Sequence, residues 1–435
     1  MEIELDYGRD GLRVTLPPEA EPTIIRTPAM PVPGDQRAEV ISAIDTPISA
    51  PPLGELAAGA QSACILICDI TRPVPNHLFL RPLIERLMSA GVPANAITVL
   101  IATGMHRPNL GDEMAELVGA PWVLDTVKVI NHDAQDDGGH VFLGRTARHD
   151  CPVGIDRIFV DADIKIATGL VEPHFMAGYS GGRKVIAPGV AHHETIRTFH
   201  SARFMEHPAA TSCNLDGNPL HETQLEIVEA INARSDTPVL GLNTVLDDQR
   251  NLVHATFGEI VASHERAVAF ARQSCEVPVD GKFHTVVTSS AGYPLDKTYY
   301  QTVKGMVTPL DILAPGGTLI IASECSEGIG SDEFRAAQQR LVDLGPDAFL
   351  ETLTVKSLAD IDEWQTEMQL KPMRIGRVQL YAPGLGLGHD ITGIDRIDDV
   401  PAAISQAIAR HDDQRIAVIP EGPYVVPFAR PMAAE

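Results

Sequence analysis

The stretch "ACILICDITRPVPNHLFLRPLIERLMSAGVPANAITVLIATG", residues 63–104, contains two apolar runs separated by a helical pattern. The runs ACILICDI (63–70) and AITVLIATG (96–104) have the length and β-branched content of strands. Between them, residues 77–91 carry Leu and Ile at helical spacing. Strands that are apolar on both faces and joined through a helix are typical of a buried parallel sheet, so this stretch predicts an α/β fold.

The same alternation continues along the chain and predicts a second α/β domain. An amphipathic segment that ends in a Val-Pro turn, residues 264–279, marks the boundary. We expect an N-terminal domain of residues 1–275, joined by the C-terminal segment 412–435, and a C-terminal domain of residues 276–411. The further predicted strands are 127–131, 163–169, 284–292, 317–324, 378–384 and 415–420.

Composition excludes several classes of protein. The 435 residues include 34 basic and 58 acidic side chains, a net charge of −24, which argues against a nucleic-acid partner. Apolar runs are too short for a membrane span, and the acidic, alternating start does not resemble a signal peptide. The six cysteines are scattered without metal-type spacing, as expected in a reducing cytoplasm. In so acidic a chain, an anionic substrate requires locally placed cations.

Polar side chains follow three of the predicted strands, where α/β proteins place their sites. "DITRPVP" supplies Asp69, Thr71 and Arg72, "ATGMHRP" supplies His106, and "TGLVEPH" supplies His174. A guanidinium binds a carboxylate or phosphate bidentately, and two histidines facing one substrate can move a proton in either direction. The alternative is that the first motif is a capping turn and that each histidine is structural.

The stretch "EPHFMAGYSGGRKVIAPGV", residues 172–190, combines Gly181 and Gly182 with Arg183 and Lys184. Glycines leave backbone N–H groups exposed to a phosphate or a bulky ligand, although the order is not that of a P-loop. In its apolar setting Lys184 is expected to have a lowered pKa and to serve as a covalent attachment point. The alternative is a helix N-terminus with surface cations.

The stretch "HHETIRTFHSARF", residues 192–204, offers imidazoles for a metal ion. His193 and His200 are seven residues apart and can lie on one face of a helix, and imidazole suits zinc or nickel. We expect His192 and His193 to be solvated and His200 to be the ligand. The order is not HExxH, and a zinc hydrolase needs at least three protein ligands, so that class is disfavoured.

The second half adds one helical pair. In "GYPLDKTYYQTVKG", Gln301 and Lys304 are three residues apart and face one way on a helix, while Asp296 and Lys297 fit an N-terminal turn. The alternative for the pair is an ordinary helix surface. "PGLGLGHD", residues 383–390, lacks the GxGxxG order, so a dinucleotide site is disfavoured.

Five motifs, in this order over residues 69–305, resemble those of the nickel-dependent lactate racemase family: DITRPVP, TGMHRP, EPHFMAGYSGGRKVIAPGV, RTFHS and GYPLDKTYYQTVKG. The resemblance implies two α/β domains with the active site in the cleft between them. It also implies a nickel-pincer nucleotide, a pyridinium dithio-acid mononucleotide that holds nickel, bonded covalently to Lys184 and ligated by His200.

The resemblance assigns roles to the residues already singled out. The acid/base pair matches His106 and His174, and the implied substrate-binding residues are Arg72, Gln301 and Lys304. The implied cofactor-binding residues, besides Lys184, are Asp69, Thr71, Gly181, Gly182 and Arg183.

The activity that the resemblance implies is an isomerase reaction, the racemisation or epimerisation of a lactate-like 2-hydroxy acid by reversible hydride transfer to the cofactor. Separate biosynthetic enzymes of the host would load that cofactor, and the protein itself is expected in the cytoplasm. Two enzymatic alternatives keep the same chemistry on a gluconate-type sugar acid or on a malate-like diacid. A third alternative, from another class, is a protein that binds the nickel cofactor or a carboxylate without turnover.

Overall fold

The computed structural model describes residues 1–430. The strands are β1 (Glu2–Leu5), β2 (Leu12–Thr15), β3 (Glu21–Ile24), β4 (Ala63–Cys68), β5 (Ile97–Ala102), β6 (Lys128–Asn131), β7 (His140–Arg145), β8 (Pro152–Asp156), β9 (Ile164–Leu170), β10 (Pro173–His174), β11 (Gly178–Tyr179), β12 (Leu240–Leu246), β13 (Leu252–Glu259), β14 (Glu276–Asp280), β15 (Phe283–Ser289), β16 (Leu313–Ala322), β17 (Arg377–Tyr381), β18 (Asp395–Arg396), β19 (Arg415–Ile419) and β20 (Val426–Arg430).

The α-helices are α1 (Gln36–Asp45), α2 (Leu53–Leu56), α3 (Asn76–Ser89), α4 (Asp112–Val118), α5 (Pro121–Thr126), α6 (Arg157–Asp161), α7 (His193–Phe199), α8 (Ala202–Met205), α9 (Pro219–Asn232), α10 (Ile260–Cys275), α11 (Tyr299–Val307), α12 (Asp332–Leu344), α13 (Pro346–Thr354), α14 (Glu363–Ile375) and α15 (Val400–His411). None of the helices within residues 1–430 has both the length and the apolar character that a membrane span requires.

The chain forms two compact units. The first unit contains residues 29–199 and 208–273, and the second contains residues 1–28, 200–207 and the chain from Ser274 onward. Each has a six-stranded sheet with helices, which confirms the predicted α/β fold.

The sheet of the first unit has the strand order β13-β12-β9-β4-β5-β6. All neighbours are parallel except β12 and β13. From β4 the chain adds β5 and β6 on one side and then returns to add β9 on the other. The order therefore reverses between β4 and β9, and in open α/β sheets ligands bind at the carboxyl ends of strands at such a switch point.

The helix α3 shows why the opening stretch folds in this way. Phe79, Leu83 and Leu87 follow one another at four-residue intervals and are fully buried, so they form one apolar face. The same core cluster contains Ile65 and Ile67 of β4. The sequence placed this helix at 77–91, and the structure begins and ends it within two residues of that range.

The sheet of the second unit has the order β18-β17-β16-β15-β19-β3, with parallel neighbours throughout. This differs from the expected boundaries, because β19 of the segment 412–435 pairs with β15 and not with the first unit. The strand β3 then pairs with β19, so the N-terminal segment 1–28 also belongs here. A run such as RIAVIP predicts a strand, but its residues do not specify which strand lies beside it.

The N-terminal hairpin β1–β2 is fixed to the second unit by a buried carboxylate. Asp296 Oδ2 accepts hydrogen bonds from Gly8 N at 2.7 Å and from Glu324 N at 3.1 Å. Burial raises the pKa of Asp296 above its usual range, although these backbone N–H groups oppose the rise. The predicted turn at this position is the 3₁₀ segment Leu295–Lys297. Its Asp296 links the loop between β1 and β2 to the backbone at Glu324.

Candidate active site

Three neighbouring parallel strands of the first unit end at one edge of its sheet. In the register of β4 and β5, Cys68 lies beside Ala102, and β9 lies on the other side of β4. The loops that follow these strands therefore meet at the switch point. They carry the predicted residues that follow the strands: Asp69, Thr71, Arg72, His106 and His174.

Asp69 and His106 form a hydrogen-bonded pair across two of these loops. His106 Nδ1 lies 2.6 Å from Asp69 Oδ2, and the hydroxyl of Thr71 donates to Asp69 Oδ1 at 2.5 Å. The Asp69 side chain is 7% exposed, whereas the His106 side chain is 60% exposed. The buried Asp69 carboxylate therefore orients the His106 imidazole, which faces solvent. The Thr71 hydroxyl, in turn, holds that carboxylate by a hydrogen bond.

Hydrogen bonding determines the protonation of this pair. Burial alone would raise the pKa of Asp69, but the hydrogen bonds from His106 and Thr71 and the charge of Arg72 hold it below its usual value. An ionised carboxylate only accepts, so Nδ1 of His106 carries a proton and donates it. In neutral His106 the other nitrogen, Nε2, is then left as a proton acceptor.

His174 has the opposite tautomer. It lies in a short hairpin in which β10 pairs with β11, opposite Gly178. Its Nδ1 accepts hydrogen bonds from Met176 N at 3.3 Å and from Ala177 N at 3.1 Å. Because a nitrogen that accepts carries no proton, the ring proton of neutral His174 is on Nε2. One histidine therefore offers an acceptor nitrogen and the other a donor.

Arg72 and Glu172 join the loops after β4 and β9 at the switch point. Arg72 Nη1 donates to Glu172 Oε1 at 2.8 Å, and both side chains are partly buried. Sequence reasoning missed Glu172, although it stands two residues before His174 in the motif EPH. The glutamate therefore restrains the guanidinium, and the predicted substrate contact of Arg72 stays a prediction.

Lys184 lies on the 3₁₀ segment Gly182–Val185. Burial lowers its pKa to about 8, and the positive charge of Arg72 adds to that effect, while Glu172 and Asp69 oppose it. An amine with this pKa has a substantial neutral, nucleophilic fraction at neutral pH. The structure thus gives Lys184 the lowered pKa that the sequence predicted.

The protein itself accounts for the glycine pair. Gly181 and Gly182 have positive φ angles of 78° and 49°. A Cβ on Gly181 would lie 2.6 Å from Val171 Cγ2, and one on Gly182 would lie 2.8 Å from the His264 ring. Close approach of protein atoms therefore requires both glycines, and their predicted contact with a cofactor stays a prediction.

Arg183 is turned toward the helix α9. Its guanidinium lies against His221, with Nη2 at 2.7 Å from Nδ1, and the side chain is almost fully buried. Burial lowers the pKa of Arg183 to about 10, and within residues 1–430 its Nη1 has no hydrogen-bond partner. Its cofactor contact stays a prediction, and Nη1 is the nitrogen left for it.

The other three predicted residues belong to the second unit. Helix α7 ends at Phe199, and the His200 ring lies 4.7 Å from that of Trp364. Gln301 and Lys304 lie on α11 at the predicted spacing of one helix face. The buried Gln301 Oε1 has no hydrogen-bond partner among the described residues.

One expectation about the remaining histidines is wrong. His192, expected to be solvated, is buried, and its Nε2 lies 2.9 Å from Asp137 Oδ1. His192 immediately precedes α7 and packs against Gly154. A Cβ at position 154 would lie 2.7 Å from the Cβ of His192, so the glycine leaves the space that the buried histidine occupies.

Comparison with known proteins agrees with this architecture. The family model of the lactate racemase N-terminal domain matches residues 7–212, and that of the lactate racemase C-terminal domain matches residues 280–426. Lactate racemase of Thermoanaerobacterium thermosaccharolyticum is 34% identical over 337 residues, 76% of each chain. Lactate racemase of Lactiplantibacillus plantarum is 31% identical over 397 residues, 89% of this chain and 90% of that one.

Solved structures give the same result. The lactate racemase apoprotein from Thermoanaerobacterium thermosaccharolyticum superposes with a TM-score of 0.89 at 28% identity, covering 98% of this chain and 100% of that one. A Thermotoga maritima protein shares the fold at 16% identity, with a TM-score of 0.66, over 93% of this chain and 100% of that one. The fold and these relatives define a class: a two-domain α/β isomerase of the racemase type. The chain belongs to the lactate racemase family.

Proposed function

We propose that this protein racemises a small 2-hydroxy acid, lactate or a close analogue. Two relatives at 34% and 31% identity bear the name lactate racemase. The observation that carries the proposal is the pair of opposite tautomers, an acceptor nitrogen on His106 and a donor nitrogen on His174. Racemisation runs in both directions, so it needs one group of each kind for either enantiomer.

The substrate carboxylate is assigned to Arg72. A guanidinium binds a carboxylate through two parallel hydrogen bonds, and Glu172 already holds one of its nitrogens in place. Gln301 and Lys304 are proposed as further substrate-binding residues because they match the motif GYPLDKTYYQTVKG. A few fixed cations then capture an anion despite the net charge of −24.

The substrate hydroxyl proton is assigned to the histidines. His106 Nε2 would take it from one enantiomer while Asp69 stabilises the resulting imidazolium. His174 would return a proton on the opposite face as an imidazolium that becomes neutral when its Nε2 donates, a state in which Nδ1 no longer accepts from Met176 and Ala177. For the other enantiomer the two roles are reversed. Asp69 is suited to this task because its lowered pKa keeps it ionised at neutral pH.

A nickel-pincer nucleotide fits the residues present. Lys184, with a pKa of about 8, would hold it covalently. Further donors suited to it are the imidazole of His200 and Arg183 Nη1, which has no hydrogen-bond partner within residues 1–430. When bound, this group would accept the hydrogen next to the carboxylate as a hydride and return it, which avoids deprotonating a weak carbon acid. We propose that separate biosynthetic enzymes load it and that the protein acts in the cytoplasm.

Mass spectrometry tests the attachment. The protein is produced in a host that also makes the cofactor, and its intact mass is measured before peptide mapping. We expect an adduct of nucleotide size on the peptide that carries Lys184, and no adduct in Lys184→Ala. An unmodified wild-type mass from a host with a working pathway would contradict covalent attachment.

A chiral assay in deuterated water tests the reaction and the substrate. Single enantiomers of lactate, malate and gluconate are incubated with the loaded enzyme. We expect lactate to racemise with its carbon-bound hydrogen retained, because a hydride that is returned does not exchange with solvent. His106→Ala and His174→Ala should both abolish racemisation while the adduct on Lys184 persists. An active single-histidine variant, or deuterium incorporated at carbon, would overturn this mechanism.

A further inference from the structure

A second cluster of metal-ligating side chains lies in the first unit, outside the candidate active site. It joins the loop before β7 to the start of α7. Asp137 Oδ1 is 2.9 Å from His192 Nε2 and 3.9 Å from His193 Nε2. One ligand atom of each of these three residues lies within 4.8 Å of those of the other two. We propose that Asp137, His192 and His193 bind a divalent transition-metal ion of the zinc type.

The donor set and its spacing suit such an ion. Two imidazole nitrogens and one carboxylate oxygen, completed by water, form a common zinc environment. Metal–ligand distances of about 2.0 Å in a tetrahedron separate the donors by roughly 3.3 Å. The observed separations of 2.9 and 3.9 Å lie on either side of that value, so small side-chain rotations bring the three atoms to it.

Two of the three proposed ligands are largely buried, and the third faces solvent. The His192 and His193 side chains are 3% and 23% exposed, so packing holds both rings, whereas Asp137 is 83% exposed. An ion can therefore enter from the aspartate side and keep a water ligand there. The two rings lie 4.1 Å apart between centroids, which keeps both nitrogens near one position.

A neighbouring imidazole supports the inference independently. His140 is buried, and its Nδ1 donates to Asp136 O at 2.6 Å, so its Nε2 is an acceptor. That Nε2 has no hydrogen-bond partner within residues 1–430, and the His140 ring lies 5.0 Å from the His192 ring. Buried nitrogens are normally satisfied, so an unused acceptor beside the cluster points to a ligand that the protein does not supply.

Metal binding requires one proton to move. His192 Nδ1 accepts from Glu194 N at 3.3 Å, so its Nε2 carries the ring proton and donates it to Asp137. A metal at Nε2 displaces this proton, which shifts to Nδ1 and leaves the imidazole neutral. The long contact with Glu194 is then lost, and the metal replaces the hydrogen bond to Asp137.

Calorimetry with Zn²⁺ alone tests the site on the full chain, prepared without a tag and stripped of metal. We expect one site of micromolar affinity or better, weakened at least tenfold in His193→Ala and in Asp137→Asn. The control is His77→Ala, which removes an exposed histidine on α3 and should bind as the wild type does. Unchanged binding in the two cluster variants would place the zinc elsewhere and overturn the proposal, as would no binding in the wild type.

Two further readouts separate coordination from a folding defect. Without metal, all variants should unfold at the wild-type temperature within a few degrees, and added Zn²⁺ should raise that temperature only where the cluster is intact. With Co²⁺, the wild type should show the visible absorption of a tetrahedral nitrogen and oxygen site. An octahedral spectrum identical in wild type and Asp137→Asn would contradict the assigned ligands.

Discussion

The chemistry of Lys184 depends on charges carried by other loops. Burial lowers its pKa, Arg72 lowers it further, and Glu172 and Asp69 act in the opposite direction. The sequence predicted a lowered pKa from the apolar neighbours of this lysine, and that part is confirmed. The pairing of Arg72 with Glu172 was not predictable, because the two are 100 residues apart and only the sheet brings them together.

Amine labelling as a function of pH tests the lysine. With a pKa of about 8, the Lys184 amine is protonated below that value and neutral above it, so acylation should rise from pH 7 to 9 with a midpoint near 8. Arg72→Gln removes a charge that lowers the pKa, so the midpoint should shift upward. The exposed Lys282 in the same digest is the reference. A Lys184 profile that coincides with that of Lys282 would contradict the shift.

Replacing Glu172 by Gln tests the positioning of Arg72. The charge-assisted hydrogen bond at 2.8 Å becomes a neutral one, so the guanidinium is held less firmly. We expect KM for the 2-hydroxy acid to rise about tenfold, with a smaller change in kcat. Steady-state kinetics of the loaded enzyme provide both values.

The control for this prediction is Glu351→Gln, an exposed change on α13. A purely structural role for Glu172 would appear as a lower unfolding temperature with unchanged KM. That result would remove it from the substrate site.

Individual strands and helices show which structural features a local sequence pattern can predict. The run ACILIC and the spacing of Phe79, Leu83 and Leu87 predicted β4 and α3, since each element buries its own apolar side chains. The turn at Gly181–Gly182 was predicted as a ligand cradle, but its shape follows from the closeness of Val171 and His264. Contacts of that kind join distant segments and leave no local periodicity.

Two alanine substitutions separate packing from backbone strain. Gly182→Ala places a Cβ 2.8 Å from the His264 ring at a φ of 49°, and we expect it to destabilise the protein by about 2–4 kcal/mol. Gly217 has a φ of 65°, and no atom lies within 4 Å of the position that a Cβ would take there, so Gly217→Ala should cost only about 1 kcal/mol. Chemical denaturation measures both, and equal costs would show that the His264 contact is unimportant.

The two units are not separated at a single point along the chain. Short segments at 1–28 and 200–207 belong to the same unit as the chain from Ser274 onward. Periodicity predicted that there are two α/β domains and placed eight of the twelve strands in the two six-stranded sheets. It placed 412–435 in the wrong domain, because strand pairing between β3, β19 and β15 depends on the complete sheet.

Removing residues 1–28 tests this division. Without β3, the strand β19 becomes the edge of its sheet and loses the parallel partner that runs from Glu21 to Ile24. Hydrogen exchange should therefore accelerate in β19, at Arg415–Ile419, and stay unchanged in β9 of the first unit. Equal acceleration in both strands, or none in β19, would contradict the division into units.

The pairing of β3 with β19 has a consequence for synthesis on the ribosome. Glu21 of β3 lies beside Arg415 of β19. The strand β3 is therefore synthesised early but cannot pair until β19, one of the last strands, has been made. The first unit, which begins after Pro28, is by then complete and free to fold. During that interval the apolar residues Val14 and Leu16, buried in the finished protein, remain uncovered on the nascent chain. Protection of this N-terminal segment by a chaperone should therefore matter more during translation than for the finished enzyme.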